Sequence, residues 1–192
     1  MASISLIDLF VENPVIAAIR GEDELDEVLK HKSQVVFILS SNICTVEESC
    51  KKLKDAGKNV FLHMDLVEGL RSDHAGIHYI LEHIAPTGVI STKSTPIRLA
   101  HAAGLHTIQR TFMLDSSALK TSIQNASSCQ PDFVEVLPGI CPQIIAMVQE
   151  HIQVPIIAGG FVQDKRDVMA ALRAGAIAVS TSQSSLWSLD DE

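Results

Sequence analysis

Two segments near the C-terminus hold the residue types best suited to gripping an anion. Ala158-Gly159-Gly160-Phe161 closes one apolar run, and Val179-Ser180-Thr181-Ser182 closes the next. Adjacent glycines let the main chain come close to a ligand, and the hydroxyls and amides that follow can donate to phosphate oxygens. A short final helix over 184–189 is expected to aim its first amides the same way. Gly159, Gly160, Ser180 and Thr181 therefore read as a phosphate site, against the plainer alternative of a tight turn beside a serine-rich tail.

Charged residues at the ends of other apolar runs widen the chemistry. Lys93 ends Gly-Val-Ile-Ser-Thr-Lys and is either a Schiff-base nucleophile or a cation facing an anionic ligand. A nucleophilic lysine needs desolvation or a neighbouring cation, and the sequence displays neither, which favours the electrostatic role. Arg110 is either a second ligand-facing cation or the partner of Glu135 on the next strand. Asp65 and Glu135 form an acid/base pair or bind hydroxyl groups; polyol recognition by carboxylates needs no tuned pKa, which favours binding. Arg20 also stands just past an apolar run, with no role that the sequence alone assigns.

Other groups carry less. His74 and His78 stand at i, i+4 behind Asp73 like two metal ligands, but no third follows at a suitable distance, so neither a metal nor a cofactor is expected. His63 shares strand parity with Asp65 and either orients it or, as the commoner outcome, is an interior histidine with its hydrogen bonds satisfied. Cys44, Cys50, Cys129 and Cys141 show no CxxC spacing and read as buried or idle thiols.

These residues must be positioned by regular elements, and the elements are legible. Apolar, β-branched runs recur at 15–19, 35–39, 60–64, 88–91, 107–112, 133–137, 154–158 and 176–180. They are nearly continuous, as in the strands of a parallel sheet covered on its outer face. Helical periodicity fills the gaps, as at Ile77, Ile80, Leu81 and Ile84 and at Val46, Cys50 and Leu53. Thr45 with Glu48 reads as a capping box, Ser94 or Thr95 precedes Pro96 in a first turn, and Asp115 and Asp164 can each cap. Gly57, Gly104 and Gly175 stand where helices should end.

Eight such units predict a trimmed, single-domain (βα)8 TIM barrel over 1–192, whose function gathers at the C-terminal ends of the strands. No GxGxxG follows the first strand to favour an open doubly wound sheet.

Hydrophobic residues make up 46% of the 192 and charged residues 20%, a globular composition. A net charge of −8 disfavours any function that needs a globally basic surface. Lys30, Lys32, Lys51, Lys52, Lys54 and Lys58 form the best basic patch, explained better by helix C-termini than by nucleic acid. No apolar run is long enough to span a membrane, and the N-terminus lacks a signal-peptide pattern, so a cytoplasmic protein is expected.

Six motifs in order carry a family resemblance. They are 60–70 (Val-Phe-Leu-His-Met-Asp-Leu-Val-Glu-Gly-Leu), 88–93, 109–116 (Gln-Arg-Thr-Phe-Met-Leu-Asp-Ser), 134–139 (Val-Glu-Val-Leu-Pro-Gly), 156–161 (Ile-Ile-Ala-Gly-Gly-Phe), and 179–182 followed by Leu186-Trp187. Across essentially the whole chain this pattern resembles the glycerol-uptake operon antiterminators, with Phe161 a departure where an aliphatic residue is expected. The resemblance implies a regulatory protein, not an enzyme. Such a protein binds glycerol 3-phosphate and acts on the leader mRNA of glycerol-utilisation genes so that transcription passes a terminator. Glycerol 3-phosphate also suits the phosphate site in size and charge; the RNA partner rests on resemblance alone. The competing reading is a barrel enzyme, an aldolase through Lys93 or an isomerase or synthase acting on a triose or glycerol phosphate. A homo-oligomer is left open, with no self-complementary surface evident.

Overall fold

Each apolar run is a strand followed by a helical segment, because its side chains are buried alternately inside a barrel and under a helix. The computed structural model describes residues 5–189. In chain order the elements are α1 (Leu6–Glu12), β1 (Val15–Ile19), α2 (Leu25–Val28), β2 (Val35–Ile38), β3 (Ser41–Asn42), α3 (Val46–Asp55), β4 (Asn59–His63) and β5 (Val67–Glu68). There follow α4 (His74–Tyr79), β6 (Gly88–Ser91), α5 (Ser94–Ala102), β7 (His106–Phe112), α6 (Ser116–Cys129) and β8 (Phe133–Leu137). The chain ends with α7 (Pro142–Gln149), β9 (Ile156–Gly159), α8 (Lys165–Arg173) and β10 (Ala178–Thr181).

The parallel barrel closes in the order β1, β10, β9, β8, β7, β6, β4, β2, with Ile16 of β1 beside Ser180 of β10. The short β3 and β5 pair with each other outside it.

Strand alternation sorts the apolar side chains into two cores. Ile16, Phe37, Phe61, Ile90, Ile108, Phe133 and Ile157 fill the barrel. Phe10 of α1 enters from the N-terminal mouth, its ring centroid 4.7 Å from that of Phe133 and 5.6 Å from that of Phe61. The other parity, including Val36, Leu62, Val89, Val134 and Val179, packs under the helices against residues such as Leu53, Ile80, Ile145 and Val168.

The helix signals divide. Asp115 accepts from the Ala118 amide at 2.8 Å, and Asp164 and Asp167 form a reciprocal capping box. Gly57, Gly104 and Gly175 all have positive φ at helix ends. Thr45 makes no side-chain cap: at φ −121°, ψ −18° it lacks the extended backbone that turns a hydroxyl toward the first amides. Lys93, not Ser94 or Thr95, precedes the first turn of α5. The expected final helix over 184–189 is a single 3-10 turn, Ser184–Leu186. The buried Trp187 stops it there by donating its indole N–H to the Thr181 carbonyl at 2.8 Å, which ties the tail to the end of β10.

Candidate functional site

At the C-terminal end of the barrel the inward positions turn polar. Arg110 lies beside Glu135 in the β7–β8 register, and its Nε and Nη2 donate to Oε2 and Oε1 at 2.6 and 3.1 Å. Ser180 donates to the same Oε1 at 2.6 Å. All three residues are buried. Of the two readings of Arg110, pairing with Glu135 is therefore realised. A buried carboxylate held by a bidentate guanidinium and a hydroxyl has little capacity left for a ligand.

Gly159 fits over this layer because it has no side chain. A Cβ there would lie 2.5 Å from Ser180 Oγ and 2.6 Å from Glu135 Oε1. Gly160 turns the chain with φ 85°. Gly139, after β8, presses on the pair: its amide donates to the carbonyls of Gly159 and Gly160, and a Cβ on it would stand 2.8 Å from the Gly159 nitrogen. In the sequence Gly139 stands inside a motif with no role of its own. The signal that could have found it is the Pro138-Gly139 pair one loop before the glycine turn.

A cavity of about 440 Å³ opens above this floor. It is lined by Arg20, Leu39, Arg110, Phe112 and Leu137 and by the loops 160–163 and 180–183. The Thr181 hydroxyl donates to the Val162 carbonyl at 2.8 Å and accepts from the Gln183 amide at 3.1 Å, binding the two loops together. The hydroxyls of Ser180 and Thr181 thus donate internally. Among the described residues the backbone amides of Gly160, Phe161 and Ser182 meet no protein acceptor. These amides are the donors the loops offer an anion, and the exposed Arg20 lines the same cavity. The fold thereby gives Arg20 a place at the site that its position at a strand end leaves open.

Asp65 and Lys93 stand elsewhere. They line a neighbouring cavity of about 710 Å³ with Arg71, Ser72 and the start of α5. Asp65 accepts from Ser91 Oγ at 2.9 Å, from the amide and hydroxyl of Thr92 at 2.8 and 3.0 Å, and from Ser72 at 3.2 Å. Burial acts to raise its pKa, but the Thr92 amide and the hydroxyls of Ser91 and Thr92 outweigh it and hold the carboxyl below the ordinary aspartate value. Asp65 therefore clamps the end of β6. Lys93 is exposed beside it. The eight residues singled out from the sequence thus divide: Arg110, Glu135, Gly159, Gly160, Ser180 and Thr181 gather at one cavity, and Asp65 and Lys93 at another.

His63 is 2% exposed, and its Nδ1 has no hydrogen-bond partner among the described residues, unlike the satisfied interior histidine expected. Burial, and then the charge of Arg110, push its pKa down to about 4. His74 and His78 are exposed on α4. Among the described residues no group of three or more His, Cys, Asp or Glu could hold a metal. The four cysteines are free, and burial pushes the Cys50 thiol up to about 11. The basic patch is largely spent: Lys30 pairs with Glu27, Lys51 with Asp55 and Lys52 with Asp26, while Lys54 and Lys58 donate to carbonyls. No helix among the described residues is long and apolar enough to cross a membrane.

Comparison with known proteins follows the same lines. Residues 15–187 match the family described as glycerol-3-phosphate responsive antiterminator. The chain is 36% identical over 184 residues to the uncharacterized protein YgcP of Escherichia coli, covering 96% of each. It is similar to the crystal structure of a glycerol uptake operon antiterminator regulatory protein from Listeria monocytogenes, with 34% identity, a TM-score of 0.87, and coverage of 90% of this chain and 94% of that one. A glycerol uptake operon antiterminator-related protein from Thermotoga maritima is similar at 32% identity and a TM-score of 0.81, covering 91% of this chain and 98% of that one. Aldolases share the barrel at identities that speak to the fold alone.

Proposed function

Because the chain belongs to the glycerol-3-phosphate responsive antiterminator family, we propose that it is a non-enzymatic regulator that senses a phosphate ester in the cavity between loops 160–163 and 180–183. The proposed effector is glycerol 3-phosphate, and the proposed output is continued transcription through the leader mRNA of glycerol-utilisation genes, in the cytoplasm.

The observation that carries this reading is the glycine turn. The turn at Gly160 and Phe161, seated by Gly159 and backed by Gly139, presents main-chain amides without a protein acceptor to a cavity that also has Arg20 in its wall. Amides in such an arrangement hold an anion without reorganising. The Arg110–Glu135–Ser180 layer beneath keeps the loops in place and leaves the N–H groups of Arg110 not used by Glu135 for ligand oxygens.

Binding without turnover is supported by how the other polar groups are engaged. Both carboxylates considered for acid/base work accept several internal hydrogen bonds, and Lys93 is exposed beside a different cavity. An exposed ammonium lacks the desolvation that makes a lysine nucleophilic.

Occupancy alters the output only if the ligand binds one conformation more tightly than another. Transcription in vitro from a leader template tests this. Glycerol 3-phosphate should raise read-through in the presence of the protein, and Gly160→Asp, which puts a carboxylate among the anion-binding amides, should abolish the response. Read-through that ignores the effector, or a folded Gly160→Asp protein that still responds, refutes the proposal.

A further inference from the structure

Charge is unevenly spread along the chain. Residues 83–131, a quarter of its length, hold one of its 23 acidic residues, Asp115, but four of its 15 Lys and Arg: Lys93, Arg98, Arg110 and Lys120. This stretch includes β6, α5, β7 and α6; the two strands are neighbours in the barrel and the two helices pack together. A run poor in acids thereby becomes one face of an otherwise acidic protein. Arg110 is engaged by Glu135, but Lys93, Arg98 and Lys120 meet no carboxylate among the described residues. The carboxylates at the edge of the face have internal partners: Asp65 in Ser91 and Thr92, Asp73 in Arg71 and the Gly76 amide, and Asp115 in the Ala118 amide. The lysines of α3 lack this freedom, because Lys51 and Lys52 pair with aspartates and Lys54 donates to a carbonyl.

Two clefts cross the face. The larger, about 710 Å³, has Lys93 in its wall, and the smaller, about 340 Å³, lies between α6 and the end of β7. Thr92 and Asn125 line both, so the two adjoin. Thr111, Ser117, Thr121, Ser122 and Asn125 line the smaller cleft, and none of these side chains makes a hydrogen bond among the described residues. Ser122 is only 2% exposed. A buried helical serine ordinarily donates to a carbonyl one turn back, yet this hydroxyl has no partner. An unpaired buried hydroxyl is costly, and an occupant bringing its own donors and acceptors relieves that cost.

We propose that this face binds the leader RNA: Lys93, Arg98 and Lys120 hold phosphates of a single strand, and the cleft lined by hydroxyls and amides takes its ribose hydroxyls and base edges. This rests on the regulatory reading above and gives its RNA partner a surface. The ribose 2′-hydroxyl, both donor and acceptor, suits a wall of serine, threonine and asparagine, while the cations supply the phosphate contacts. An acidic peptide would meet the cations but has no run of hydroxyls for the cleft. The same geometry joins effector and RNA. Arg110 and Phe112 line both the smaller cleft and the effector cavity, so binding at one bears on residues at the other, and such coupling is reciprocal.

The test is fluorescence anisotropy of the full chain with the labelled leader transcript and saturating glycerol 3-phosphate, over a range of salt. Each phosphate neutralised on a single strand contributes about 0.7 to the slope of log affinity against log salt. Combining Lys93→Gln, Arg98→Gln and Lys120→Gln should therefore flatten the slope by about 2 and weaken binding at least about tenfold at low salt. Lys93 and Lys120 are exposed, so their double variant keeps the test decisive should Arg98→Gln disturb the packing of α5 on α6. Single-stranded DNA of the same sequence should bind several-fold more weakly than RNA, and Ser122→Val should weaken RNA but not DNA. Lys51→Gln with Lys52→Gln should change neither. If the wild type binds RNA and the charge variants bind it as tightly with the same slope, this surface is refuted and the regulatory reading stands. Equal binding of RNA and DNA, or displacement of the RNA by polyglutamate of equal charge, overturns the assignment to RNA. If the wild type binds no RNA, the surface is refuted, and whether read-through still answers to the effector decides the regulatory reading separately.

Discussion

A histidine sealed inside a barrel with one nitrogen unpartnered resists protonation, and His63 is in that position. Its ring titrates near 4 in the folded chain, against an ordinary value of 6.5. Above pH 6.5 the ring is neutral in both folded and unfolded states. As the pH falls from 6.5 toward 4, the unfolded chain takes up a proton that the folded chain refuses, so stability is lost across that window. The loss approaches roughly 3 kcal/mol at one pKa unit per 1.36 kcal/mol, and this group contributes no further loss below the window. Urea unfolding at pH 7 and pH 4.5 should show that loss in the wild type and a much smaller one in His63→Gln; equal losses would show that His63 is not the group responsible. The residue scale is also where sequence reading reaches its limit. Strand parity shows that Arg110 and Glu135 point inward together, but parity cannot tell a mutual pair from two ligand contacts, and only the 2.6 Å separation decides it. Asp65 likewise stands at a strand end, yet its donors come from Ser72, Ser91 and Thr92, which only the fold brings to it.

Strands are legible in this sequence because a parallel strand buried on both faces must be apolar throughout, and helix ends are legible where glycine with positive φ stops them. The element that escapes such reading is α1. Leu6, Leu9 and Phe10 stand at helical spacing over only two turns, and the role of the helix depends on Phe10 meeting Phe61 and Phe133 from distant parts of the chain. Phe10→Ala should leave a cavity at the N-terminal mouth and cost about 3–5 kcal/mol of unfolding free energy. Affinity for glycerol 3-phosphate should persist, because the loops proposed to bind it lie at the opposite end. A shift of the denaturation midpoint without loss of binding is the expected result; unchanged stability would mean that α1 does not close the barrel. The C-terminal segment departs in the other direction. Its composition predicts a helix over 184–189, but Trp187 turns inward to the Thr181 carbonyl and the segment stops after one turn.

Across the whole molecule the division of labour is between two mouths of one barrel. The N-terminal mouth is plugged by phenyl rings, and the C-terminal mouth ends in a hydrogen-bonded polar layer with amides above it. The net charge of −8 is not relieved by the lysine cluster, since three of those lysines pair with carboxylates and two with carbonyls. Surface ion pairs of this kind contribute little to stability, but they leave few free cations on that side of the protein for a polyanion. The regulation proposed above is therefore placed at the cavity between loops 160–163 and 180–183. The measurement that bears on it most directly is calorimetric titration of the full chain with glycerol 3-phosphate, followed by recovery and chemical analysis of the ligand. Saturable binding with the ligand recovered intact is what a phosphate-ester sensor predicts. Absence of binding, or recovery of an altered ligand, would contradict it.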